Sequence, residues 1–87
     1  MRDRAVGVII KNSQLLLLWR YRDGKEYYTF PGGSMEEGED EETALRREMF
    51  EELNIEIENP KKLFTNINEF GENKRPDHLY LITDFSG

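Results

Sequence analysis

Apolar residues fall in short runs whose period changes along the chain. Ala5 to Ile10 reads AVGVII and Leu15 to Trp19 reads LLLLW; Lys11, Asn12, Ser13 and Gln14 between them suit a tight reversal joining antiparallel strands. The Leu run does not alternate, so periodicity alone leaves its type open. Its length, the Asp23-Gly24 turn signal beyond it and the β-forming Tyr27 to Phe30 predict a central strand buried on both faces. Pro31-Gly32-Gly33 then predicts a loop, because Pro lacks an N–H and Gly admits backbone angles closed to other residues. From Asp40 to Leu53 the period turns helical: Leu45, Met49 and Leu53 share one stripe, and acids crowd the first turn, where the helix dipole favours them. Asn54 stands where a left-handed cap is expected. Beyond it, Ile55 to Ile57 predicts a short strand, Leu63 to Phe70 a second, Gly71 to Asp77 a loop and His78 to Phe85 a third strand. Three strands, a helix and three strands make an α+β or mixed α/β fold, in a single domain over residues 1–87.

A chain of 87 residues supports one modest core. Its longest apolar run, Leu15 to Trp19, is far too short to span a bilayer, so no membrane association is expected. Zero cysteines exclude disulfides, thiolate-bound metal and thiol catalysis, so any metal must sit on oxygen. Met1 leads through Arg2, Asp3 and Arg4 into a strand without a secretory pattern, which predicts a cytoplasmic address. Twelve basic against 18 acidic side chains give a net charge of -6, which opposes sequence-independent grip on a nucleic-acid polymer. Oligomeric state, a homo-oligomer included, is left open.

The acids cluster between Glu36 and Glu52, and Glu48, Glu51 and Glu52 stand at i, i+3 and i+4 on one helical face. Like charges at those spacings each cost a few tenths of a kcal/mol in an isolated helix, and a hard cation such as Mg²⁺ or Mn²⁺ would offset the repulsion. A solvated acidic face is the competing explanation. An EF-hand is excluded, since Gly33, Met35 and Glu37 stand where the ligands preceding Gly38 would be needed.

A longer pattern surrounds these glutamates: Gly33, five residues, Glu39, seven residues, then Arg47-Glu48-Met49-Phe50-Glu51-Glu52-Leu53-Asn54-Ile55. It resembles the signature box of the Nudix hydrolase family, matching eight of nine specified positions, with Asn54 in place of the box Gly. Upstream, Tyr28 to Gly33 resembles the family's strand running into Pro-Gly-Gly, and Arg20 to Arg22 lies where the family often carries a substrate-facing basic residue. The resemblance implies an α/β/α sandwich with a mixed sheet and the loop-helix of the box. Family members continue beyond the strand matching His78 to Phe85, so it also implies a domain cut short at its C-terminus.

The family's chemistry is divalent-metal-dependent hydrolysis of a nucleoside diphosphate linked to another moiety, by attack of water on a phosphorus. By that resemblance Glu48, Glu51, Glu52 and the backbone carbonyl of Gly32 hold Mg²⁺ or Mn²⁺, and Glu48 is a candidate general base. Arg47 either orients a glutamate or forms a surface pair with Glu51, and Glu39 either fixes the loop or serves the helix dipole. Gly33 serves backbone geometry. Arg20 and Arg22 either meet substrate phosphate or are solvated charges. Trp19, Tyr21, Tyr27 and Tyr28 either stack on a base or belong to the sheet surface, and His78 is read as structural. The competing functions are a non-catalytic nucleotide-binding or regulatory module of the same fold, and an acidic interaction domain.

Overall fold

The computed structural model describes residues 2–87. Strand β1 (Arg4–Lys11) turns back into β2 (Gln14–Leu15) through Asn12 and Ser13, both at positive φ (53° and 62°), the mirror-image turn that matches strand twist. The same device joins β3 (Leu18–Arg22) to β4 (Lys25–Thr29) through Asp23 and Gly24, at φ 52° and 77°. After β5 (Gly32–Ser34) comes the helix α1 (Glu41–Leu53), then β6 (Glu56–Glu58), β7 (Lys61–Phe70), β8 (Asn73–Ile82) and β9 (Asp84–Ser86). The main sheet runs β2-β1-β8-β7, and β5 pairs with β1 as well. Strand β8 lies parallel to β1, with Val6 opposite Leu79, and antiparallel to β7, so the sheet is mixed as expected.

Helix α1 begins at Asp40, whose carboxylate accepts the Thr43 N–H at 2.7 Å, and ends at Asn54, in the left-handed region with φ 56° and ψ 40°. It lays Ala44, Leu45 and Met49 on Ala5, Ile9 and Ile82, and Ile55 and Ile57 complete this core. The approach is close because Gly7 lacks a side chain; a Cβ there would lie 2.9 Å from the Met49 sulfur. Among the described residues no other helix forms, and the opposite sheet face leaves Phe64 exposed. No helix among them is long and apolar enough to cross a membrane.

Four sequence expectations need correction. The Leu run is not a central strand: it is split between β2 and β3, and among the described residues β3 pairs only with β4. Leu16 packs against the core, but Leu15, Leu17 and Trp19 are 47%, 43% and 56% exposed, and the central place falls to β1. Gly32–Ser34 is a strand rather than loop, because β1 offers it a ladder. Asn73–Asp77 is likewise strand, since pairing with Phe70 to Asn66 overrides its polar composition, and only Gly71 and Glu72 turn the hairpin. The strand from His78 is interrupted at Thr83, where the chain leaves β8 to pair Phe85 with Ile57. His78 is buried, with Nε2 2.8 Å from the Asp3 carboxylate and Nδ1 2.8 Å from the Thr65 hydroxyl, in keeping with a structural role.

Candidate functional site

Strand β5 and helix α1 meet edge to face, and their meeting line carries the acidic cluster. Glu52 leans toward β5, where its Oε1 accepts the Gly32 N–H at 2.8 Å. Glu48 projects over Gly33: a Cβ on Gly33 would lie 2.5 Å from the Glu48 carboxylate, so the missing side chain makes the room that this carboxylate fills. Glu51 lies on the outer side and is more than half exposed.

Arg47 organises the group. It grips Glu39 with two parallel bonds, Nε to Oε2 at 2.8 Å and Nη2 to Oε1 at 2.9 Å, and Nη2 also reaches the Ser34 carbonyl at 3.0 Å. From that anchored position Nη1 donates to Glu48 at 2.9 Å and to Glu51 at 3.3 Å. Glu39 in turn accepts the Glu36 N–H at 2.7 Å, which ties the loop before α1 to the same guanidinium. Of the two readings of Glu39, the bond to the loop backbone is present, and Asp40 rather than Glu39 caps the helix.

Electrostatics separate the carboxylates. Glu39 is lowered to about 2, chiefly by its bonds to Arg47 and secondly by the Glu36 backbone. Glu48 moves the other way: burial raises it, the Arg47 guanidinium opposes the rise, and the charges of Glu52 and Glu51 add to it. Glu48 therefore accepts a proton more readily than an ordinary glutamate, with burial the main cause.

The donor set contains only oxygen, the chemistry that hard dications prefer. Each oxygen group assigned to metal is touched by a guanidinium: Gly32 O by Arg4 at 3.4 Å, Glu48 and Glu51 by Arg47, and Glu52 Oε2 by Arg20 at 2.9 Å. As they stand, no three acidic or histidine side chains among the described residues converge tightly enough to enclose an ion. Cationic side chains thus occupy the positions around a donor set whose composition fits a divalent metal.

The remaining sequence candidates divide. Arg20 joins the cluster through Glu52, whereas Arg22 is 79% exposed and paired at 3.9 Å with its neighbour Asp23. Trp19, Tyr21, Tyr27 and Tyr28 lie on the exposed hairpin surface. Arg4 and the Ser34 carbonyl were not singled out from the sequence, since both contacts depend on β5 pairing with β1. Arg4 also borders a cleft of about 400 Å³ on the open sheet face, between Phe30 and Phe64 and ending in Asn66 and Asp77.

A family model described as the NUDIX domain matches residues 1–85. An RNA pyrophosphohydrolase of Psychromonas ingrahamii is 42% identical over 60 residues, covering 69% of this chain and 33% of that protein. The match spans about a quarter to a third of the length of the curated relatives. Among solved structures, a MutT NUDIX hydrolase from Burkholderia pseudomallei superposes with a TM-score of 0.87 at 26% identity, over 99% of this chain and 69% of that one. An Ap4A hydrolase from C. elegans superposes with a TM-score of 0.72 at 26% identity, over 94% and 67% of the two chains.

Proposed function

Because the chain belongs to the NUDIX domain family, we propose that it is a hydrolase acting on a phosphoanhydride bond of a nucleotide-type substrate, by attack of water on phosphorus. The observation that supports this most is the position of Glu48, a largely buried carboxylate given room by Gly33 and oriented by an Arg47 that Glu39 fixes.

Glu48, Glu51, Glu52 and the Gly32 carbonyl would hold Mg²⁺ or Mn²⁺, which when bound supplies positive charge to phosphoryl oxygens and acidifies water. Arg47 holds Glu48 in place through Nη1 while its other nitrogens remain fixed on Glu39 and Ser34. Glu48, with its proton affinity raised by burial, takes the proton of the attacking water as general base. The cleft beside Arg4 receives the nucleoside end, its Phe30 and Phe64 offering apolar surface and its Asn66 and Asp77 polar contacts.

The name of the Psychromonas ingrahamii relative favours an RNA 5′ terminus as the nucleotide-type substrate. A net charge of -6 opposes a grip along a polymer, yet a terminal di- or triphosphate presents only a few phosphates to the site. A cytoplasmic location belongs to the same reading.

Release of phosphate or pyrophosphate, measured across 5′-triphosphorylated RNA oligonucleotides and nucleoside diphosphate derivatives with and without Mg²⁺, tests the proposal. Metal-dependent release is expected, reduced by about 100-fold or more in Glu48→Gln. Turnover unchanged in that variant would remove Glu48 from its role, and nucleotide binding without release would leave a binding module.

A further inference from the structure

The two arginines that touch the carboxylates of α1 are held very differently. Arg47 is only 22% exposed, and its bonds to Glu39 and Ser34 keep it in place whatever happens to Glu48. Arg20, on β3, is 45% exposed and among the described residues makes one ion pair, to Glu52. Glu52 is anchored independently, through Oε1 and the Gly32 N–H, so its Oε2 keeps its place whether Arg20 is present or not.

A half-exposed pair with one bond is worth little, and a dication on the same oxygen outcompetes it. Arg20 then stands released beside a site that has gained positive charge, on an otherwise acidic molecule, with its fork of donors free for a planar or tetrahedral oxyanion. We infer that Arg20 is an exchangeable counter-ion: it neutralises Glu52 in the metal-free protein and passes to the substrate's diphosphate when metal takes Glu52. This positioning role rests on the metal-dependent reading proposed above. Arg47 cannot perform it, because Glu39 never lets its guanidinium go.

The exchange has a signature that neither a fixed structural arginine nor a plain phosphate ligand shares. Removing the side chain frees Glu52 for metal but takes a donor away from the diphosphate, so the two affinities move in opposite directions. Mn²⁺ binding is measured from the free-ion resonance signal, and binding of the non-hydrolysable α,β-methylene ADP by calorimetry at saturating Mn²⁺, in the wild-type chain, Arg20→Ala and Arg20→Gln. Both variants should bind Mn²⁺ about two- to five-fold more tightly and the nucleotide about ten-fold more weakly. Unchanged or weaker Mn²⁺ binding in the variants, or two affinities moving in the same direction, overturns the exchange while leaving the metal site standing. A wild-type chain that binds no Mn²⁺ removes the metal-dependent reading and the exchange together.

Discussion

Gly33 is small because Glu48 needs its space. An added methyl would meet the end of the Glu48 side chain, a flexible group that can swing away, and Gly33 is not at positive φ. Gly33→Ala is therefore expected to keep its stability within about 1 kcal/mol while losing most of its turnover, because the carboxylate is displaced. Denaturant unfolding together with a turnover assay checks this, and a variant of normal activity would contradict it. Glu39 makes a second residue-scale prediction through its proton equilibrium. Its folded value of about 2 lies below the ordinary 4.5, so its bond with Arg47 contributes stability that is present above pH 4.5 and lost as pH falls toward 2. Unfolding midpoints measured across that window should fall less steeply in Glu39→Gln than in the wild type.

At the scale of elements, the helix carries the clearest test. Asn54 departs from the family pattern, yet it holds the left-handed angle that the box Gly would supply, and its N–H reaches Phe50 O at 2.9 Å. Asn54→Ala should destabilise the chain by about 1 kcal/mol, whereas Asn54→Gly should be neutral or mildly stabilising; equal losses in both would show that the angle is not what matters. The same helix was legible in the sequence from its stripe, its acidic first turn and its cap. Both two-residue turns were legible too, through Asn12-Ser13 and Asp23-Gly24. Strands were harder to read where partners decide. Four consecutive leucines do not reveal which face is covered, the glycines of β5 have low strand propensity of their own, and the polar start of β8 is a strand only because β7 lies alongside.

Across the whole molecule, the pattern that resembles the family's box named Glu39, Arg47 and Glu48 as candidates, but not their grouping. That Arg20 faces Glu52, 32 residues away, and that Arg4 reaches Gly32 depend on how the β3–β4 hairpin and β5 settle against the rest, which no local pattern encodes. An acidic chain thus gathers guanidinium groups from β3 and α1 around its carboxylates and one from β1 at the Gly32 carbonyl, so that each oxygen of the group already faces positive charge. Mn²⁺ added in substoichiometric amounts to the ¹⁵N-labelled chain tests this most directly, because its unpaired electrons broaden nearby amide signals. The account predicts that Gly32, Gly33, Glu48 and Glu52 broaden first and that Glu52→Gln suppresses the effect. Broadening centred on Glu36 to Glu42, or none at all, would contradict it.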